Sequence, residues 1–380
     1  MSLIVDEHRE YLSDATRLAV FARALAYHVT PQSIVADLGT GSGILAVLAC
    51  RAGAARVYAI EATGMVQIAR AVAEANGLSD RIHVIKGDVA EVALPERVDI
   101  MVGDFVGRFG FESGIFESYP AAARTLLKPG GFIIPSEITL SIFPVESTGM
   151  HEQVRFWQTP RQGVVVAPAG EWALNTGYPA TFGAVALLGD AAEVARVPTT
   201  VVPERGVAAD VRMAIRRDGT LHGLGGAFST ELAPGATLTN APTAVERIAR
   251  RNVFFPVRAP VPVTAGETVH VRMRILPNDS IVSWTVEVCA RDGAVRMRSA
   301  HSTLHGMLIA REDLARARPD FVPVLTRRGN ARLTVLALCD GRRTLSEVER
   351  GVYDLHRELF ETMAEAAAFV AEVTQGYARP

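Results

Sequence analysis

The stretch "GDFVGRFGFESG", residues 103–114, sets two carboxylates, Asp104 and Glu112, in a loop whose four glycines and large apolar residues otherwise suit close packing. Paired acids in such a loop can bind a cationic or proton-bearing group, and an acid whose pKa is raised there suits general-base work. Upstream, "DLGTGSG" (37–43) places Gly39, Gly41 and Gly43 behind Asp37, and the next apolar run ends on Glu61. Glycines in that pattern let the backbone approach a ligand, and an acid at the tip of the following strand is placed to accept hydrogen bonds from two ribose hydroxyls. The chemistry points to a nucleoside-containing cofactor; the glycine pattern alone also fits a dinucleotide.

These side chains need a frame. "DATRLAVFARALAYHV" (14–29) has helical apolar spacing behind Ser13 or Asp14 and stops before Pro31. "SIVADLGTGSGILAVLACRAGAARVYAIEAT" (33–63) reads as strand, glycine turn, helix and second strand, and further strands are expected at "RIHVIKGD" (81–88) and "VDIMVGDF" (98–105). That alternation predicts a parallel sheet covered on both faces, with ligands bound at the carboxyl ends of its strands. Gly39, Gly41, Gly43, Glu61, Asp88 and Asp104 all fall at those ends. From about residue 138 to 310, alternating runs such as "VHVRMRI" (269–275) and "VSWTVEV" (282–288) predict antiparallel strands in a barrel or sandwich. After Pro319 three helices are expected: one ending at Cys339 or Asp340, one opened by Thr344 with Glu347 as a capping box, and an alanine-rich third.

The run Asp37-Leu38-Gly39-Thr40-Gly41-Ser42-Gly43 resembles the cofactor loop of class I S-adenosylmethionine methyltransferases. Two more stretches sharpen the resemblance to protein arginine methyltransferases. "DEHREYLSDATR" (6–17) is similar to that family's cofactor-covering helix, and "LKPGGFIIPSEITLSIFPVE" (127–146) to the junction into its β-barrel. The resemblance, over roughly residues 6–310, implies an α/β fold: a Rossmann-like class I methyltransferase domain (1–136), then an antiparallel β-barrel domain (137–312) for substrate and dimerisation. It implies S-adenosyl-L-methionine as cofactor, held by His8, Arg17, Asp37, Gly39, Gly41, Gly43, Glu61, Asp88 and Val89. The Arg17 guanidinium would pair the methionine carboxylate as a planar fork, Glu61 would hold the ribose, and Asp88 would lie near the adenine amino group. Asp104 and Glu112 would be the acidic pair that grips an acceptor and disperses its proton, with Tyr11 and Arg108 lining the same pocket. A helical arm near 151–182 would dock on a second subunit, implying a homodimer.

The sequence departs from that family in ways that bear on the acceptor. The first acid of the loop is Asp104, one methylene short, and Glu112 arrives one residue early. Arg108 stands where an aromatic residue is usual, and Arg247, Ile248 and Ala249 replace Thr-His-Trp in "ERIARRNVFFPV" (246–257). Arg108 is expected to neutralise one of the acids. The expected activity is therefore methyl transfer, with nitrogen the first choice of acceptor, to a peptide or an amino-acid-derived natural product. Arginine methylation by an altered clamp and a cofactor-binding scaffold without transfer are the alternatives.

Residues 320–380, around "CDGRRTLSEV" (339–348), resemble the small winged-helix domains of the PqqD type, which implies a leader peptide bound as an added strand; the other reading is a helical cap. The formal net charge of -2 gives no broad attraction to nucleic acid, and the pairs Arg250-Arg251 and Arg327-Arg328 read as solvated faces. Cys50, Cys289 and Cys339 are isolated in sequence and read as packed, reduced thiols. With no signal peptide and no apolar run of about 18 residues, a cytoplasmic chain with no membrane partner is expected. His301 and His305 in "HSTLH" lack nearby carboxylates, so no metal is expected.

Overall fold

A computed structural model describes residues 4–377. The chain divides into one unit over Met1–Met307 and another over Leu308–Pro380. The first opens with helices α1 (Ile4–Ser13) and α2 (Ala15–His28). Asp14 separates them and caps α2, its carboxylate accepting the Arg17 N–H at 3.0 Å. Val20, Phe21, Ala24 and Leu25 give α2 a buried stripe at helical spacing.

Strands β1 (Ile34–Leu38), β2 (Arg56–Glu61), β3 (Ile82–Lys86), β4 (Val98–Gly103) and β5 (Leu127–Ile134) follow, interleaved with α3 (Ile44–Arg51), α4 (Val66–Ala75) and α5 (Ile115–Leu126). The strands form one parallel sheet in the order β3-β2-β1-β4-β5. Chain order reverses between β1 and β4, which opens a crevice at their carboxyl ends, the usual ligand position in such sheets. Residues Val35 to Leu38 of β1 are all buried, as expected of a strand covered on both faces.

The chain then builds two antiparallel sheets. Strands β6 (Glu137–Val145), β7 (Tyr178–Ala180) and β8 (Ala192–Pro198) join β10 (Gly219–Ala233), β11 (Ala236–Thr239) and β12 (Asn252–Val263), in the order β7-β12-β10-β6-β8 with β11 on β10. The other sheet runs β15-β14-β13-β9, from β9 (Val207–Ala214), β13 (Thr268–Leu276), β14 (Ile281–Cys289) and β15 (Val295–Ser302). Met273 lies opposite Trp284 and Val271 opposite Val286, so the buried sets of β13 and β14 share one face. The expected barrel region is thus two separately hydrogen-bonded sheets. Between β6 and β7, α6 (Thr148–Arg155) and α7 (Gly170–Leu174) interrupt the strands; Phe156, Trp157 and Trp172 are exposed there, while the Tyr178 hydroxyl donates to the Ala173 carbonyl at 2.7 Å. A short α8 (Thr303–Gly306) closes the unit.

The second unit contains α9 (Arg311–Arg316), α10 (Arg327–Leu338), α11 (Leu345–Leu355) and α12 (Met363–Tyr377). Its core gathers Ala331, Val335, Val348, Val352, Phe369 and Val370. Thr344 and Glu347 form the capping box that starts α11, and the Asp340 carboxylate accepts the Arg342 and Arg343 amides in the turn before it. None of its described residues lies in a strand. Cys339, at the C-cap of α10, is exposed rather than packed; Cys50 and Cys289 are buried.

Candidate functional site

β1 ends at Leu38, and the chain turns through Gly39 and Gly41 at φ of +59° and +54°. A Cβ on Gly39 would stand 2.6 Å from Cζ of Phe105, and one on Gly41 would overlap the His8 ring. Both positive φ values favour glycine, and a side chain at either position would have to displace the Phe105 or His8 ring. Gly43 lies deeper, where an added Cβ would meet the Ala69 backbone at 3.4 Å, and it caps α3. Asp37 also turns inward: one carboxylate oxygen accepts from the Thr40 hydroxyl and from the Ala46 N–H at 2.9 Å, and the other is buried without a partner. Burial pushes its pKa up to about 7, against the hydrogen bonds from Thr40 and Ala46.

A cavity of about 620 Å³ opens above this turn. His8, Arg17, Gly39, Glu61, Asp88 and Val89 line it, whereas Asp37, Gly41 and Gly43 lie outside the lining. The reason is packing: the His8 ring covers Gly41, Gly43 faces α4, and Asp37 braces the turn from below. Glu61 at the tip of β2 is buried, and its two oxygens accept the Gly41 and Thr63 amides at 2.9 and 2.8 Å. That fixes the carboxylate while each oxygen keeps a lone pair for a ligand hydroxyl. Thr40, Ser42, Thr63 and Ser118 also reach the cavity wall, where sequence reasoning had not placed them. Single hydroxyls, three of them in loops and Ser118 in α5, carry no periodic signal by which to find them.

A second cavity of about 610 Å³ shares Tyr11, Arg17, Asp104 and Ser113 with the first. Asp104 sits at the junction, its side chain 8% exposed. Arg17 Nε donates to it at 2.7 Å, and Arg250 grips both of its oxygens, Nη1 at 2.9 Å and Nη2 at 2.6 Å. Burial alone would raise the Asp104 pKa, but the charges and hydrogen bonds of Arg250 and Arg17 outweigh it and hold the carboxyl well below its usual range. This is opposite to the raised pKa expected of a general base. Both guanidiniums also lie over the Tyr11 ring, Arg17 at 5.5 Å and Arg250 at 5.7 Å from its centroid.

The partner of Asp104 is therefore Arg250, not Arg108. Arg108 is exposed: its backbone N–H donates to Glu112, its carbonyl accepts from Asn240, and its guanidinium has no ion-pair or hydrogen-bond partner among the described residues. The Glu112 carboxylate curls back onto its own loop, accepting the amides of Arg108, Phe109 and Phe111 at 2.8 to 3.3 Å. It lines the second cavity as a brace of the loop. Nor is Arg250 the solvated residue expected from sequence, since its side chain is only 12% exposed. Asn240 ties the two segments together, donating to the carbonyls of Arg108 at 2.7 Å and Arg251 at 3.0 Å. Beside them, Arg247 donates to the Phe182 carbonyl, Ile248 is buried, and the Ala249 amide donates to Asp14 at 2.7 Å. Away from this site, His301 stacks on Trp284 and pairs with Ser299, while His305 is exposed.

Residues 14–141 match the family model described as ribosomal protein L11 methyltransferase (PrmA). Protein arginine N-methyltransferase PRMT10 of Oryza sativa subsp. japonica is 39% identical over 142 residues, covering 37% of this chain and 37% of the relative. A probable protein arginine N-methyltransferase 6 of Arabidopsis thaliana is 34% identical over 154 residues, covering 40% and 35%. The chain thus spans little more than a third of the length of these curated relatives. Among solved structures, Arabidopsis thaliana protein arginine methyltransferase 10, in an open conformation, aligns with a TM-score of 0.66 at 23% identity, over 78% of this chain and 97% of that one. The Trypanosoma brucei PRMT1 enzyme-prozyme heterotetrameric complex with AdoHcy aligns with a TM-score of 0.69 at 21% identity, over 78% and 97%. At these identities the structural likeness establishes the fold, a Rossmann-like parallel sheet joined to antiparallel sheets as in the arginine methyltransferases. The sequence matches make the N-terminal portion similar to methyltransferases.

Proposed function

We propose that this chain is an S-adenosyl-L-methionine-dependent methyltransferase of arginine-methyltransferase architecture. In this reading the first cavity receives the cofactor and the second the acceptor. The observation that carries it is that the two cavities meet at Asp104, Arg17, Tyr11 and Ser113, at the β1/β4 reversal. The donor set fits the cofactor: a fixed Glu61 carboxylate for sugar hydroxyls, the Arg17 guanidinium for an amino-acid carboxylate, and a volume suited to a nucleoside-sized ligand. The similarity of residues 14–141 to the PrmA family and the AdoHcy-bound structural neighbour support the same choice.

When bound, the cofactor supplies an activated sulfonium methyl group. What remains to the protein is to align the acceptor, exclude water and let a proton leave. Helix α1 brings His8 and Tyr11 to the cavity wall and supplies cover over the glycine turn. Asp104 is a poor base, because two guanidiniums lower its affinity for a proton; its part is to fix Arg17 and Arg250 at the junction. Nitrogen remains the first choice of acceptor, on a peptide or an amino-acid-derived compound.

The exposed Phe156, Trp157 and Trp172 favour the 151–182 segment as the contact of a homodimer, and the three-helix order around "CDGRRTLSEV" supports a peptide-recruiting role for the C-terminal unit. A second reading, a cofactor-binding scaffold without transfer, is favoured by the engagement of Asp104 with the chain's own arginines. Incubation with methyl-labelled cofactor and a panel of peptides and amino-acid derivatives separates the two. Label on any acceptor supports the enzyme; calorimetric binding with no label on any of them supports the scaffold; no binding sinks both.

A further inference from the structure

The acceptor cavity contains a complete receptor for a planar cation. The Asp104 carboxylate lies against both terminal nitrogens of Arg250, the Gly107 carbonyl accepts from Nη1 at 3.3 Å, and the Tyr11 and Phe228 rings stand 5.7 and 5.8 Å from the guanidinium carbon. A bidentate carboxylate with aromatic rings beside it is what recognition of a guanidinium requires. Here the chain's own residue fills that place. Asp104 already faces a second cation, Arg17, so a third positive group would meet net repulsion in a poorly solvated pocket.

We propose that Arg250 is a specificity-determining residue whose side chain permanently occupies the cation seat of the acceptor cavity, so that the acceptor admitted beside Asp104 carries no positive charge. The claim about the seat is independent of the cofactor; the claim about the acceptor rests on the methyltransferase reading. Arg108 and Arg251, both exposed, line the same cavity, and their guanidiniums have no ion-pair partner among the described residues. They reinforce the bias against cations.

Deleting the side chain in Arg250→Ala empties the seat and leaves its walls. Guanidinium chloride at low millimolar concentration, compared with matched sodium chloride, should then stabilise the variant. At about ten times the dissociation constant the melting temperature should rise by about 2–4 °C, with no rise in wild type. The double variant Asp104→Asn/Arg250→Ala should lose the response. A rise of equal size in wild type, no rise in Arg250→Ala, or a rise that survives Asp104→Asn overturns the proposal. Should the alanine variant fail to fold, Arg250→Gln, which lacks only the charged end, carries the same test.

Methyl transfer is read separately. If labelled cofactor is present, the cofactor S–CH3 bond breaks, an N–CH3 bond forms and the proton leaves to solvent, and Arg250→Ala should label an arginine-containing peptide about tenfold or more above wild type. Labelling by the variant no higher than by wild type overturns the specificity claim. Calorimetry with S-adenosylmethionine on both proteins isolates the other reading: absence of binding sinks the cofactor assignment, while the melting data still decide who occupies the seat.

Discussion

Asp104→Asn isolates how much of the fold depends on the charge at the cavity junction. The substitution keeps size and one carbonyl acceptor but removes the negative charge between two guanidiniums that are 7% and 12% exposed. Breaking a buried ion pair by deleting one partner costs about 3–5 kcal/mol, because the remaining charges stay desolvated and here also repel each other. Asp6→Asn is the internal control. The Arg9–Asp6 bond is 2.6 Å long, as short as the Arg250–Asp104 contact, but its side chains are 64% and 62% exposed. Solvent screening should leave its cost far below that of the buried cluster. Urea denaturation followed by tryptophan fluorescence measures both, since Trp157, Trp172 and Trp284 all lie in the first unit. If Asp104→Asn cost no more than Asp6→Asn, burial would not govern the strength of this cluster and the reasoning about the occupied seat would fail.

Three further outcomes are expected. Glu61→Ala should weaken S-adenosylmethionine binding by about tenfold or more in calorimetry, as it removes the proposed ribose acceptor and leaves the Gly41 and Thr63 amides without partners. Glu112→Gln should leave cofactor affinity unchanged but loosen residues 108–111, seen as faster amide exchange there, because an amide oxygen replaces a carboxylate that collects three backbone donors. Asp37→Asn should remove a pH dependence of stability. Below the ordinary 3.8 the acid is protonated folded and unfolded; as pH rises toward about 7 only the folded chain keeps the proton, so wild type loses stability, by about 4 kcal/mol in all. The variant should therefore gain on wild type in urea midpoints from about pH 4 to 7, then hold a constant lead. A flat difference across that range would mean that Asp37 is ionised when folded.

Much of this frame was legible because it rests on local rules. The apolar runs that end at Leu38, Glu61 and Gly103 became adjacent parallel strands, and Asp14 and Thr344 start the helices that their side chains can cap. Glu61 and Asp104 reached cavity walls because strand ends in such sheets point there. What sequence could not supply was the choice of partner. Arg108, four residues from Asp104, was the natural candidate to neutralise it, but the loop turns that side chain outward. Arg250, 146 residues away, arrives from the segment between β11 and β12. Proximity along the chain misled, and an arginine pair in a polar stretch carries no mark of burial. Glu112 illustrates the same limit, since a carboxylate that folds back onto its own amides looks in sequence like one that faces a ligand. The family resemblance implies a cofactor contact at Asp37, while its hydrogen bonds to Thr40 and Ala46 draw it beneath the turn.

The central claim is best tested by a crystal structure of the chain with S-adenosylhomocysteine. The adenosyl group should lie across the ends of β1 and β2, with its ribose hydroxyls on Glu61, its amino-acid tail toward Arg17, and Arg250 still on Asp104. A ligand bound anywhere else, or a ribose that makes no contact with Glu61, would contradict the account.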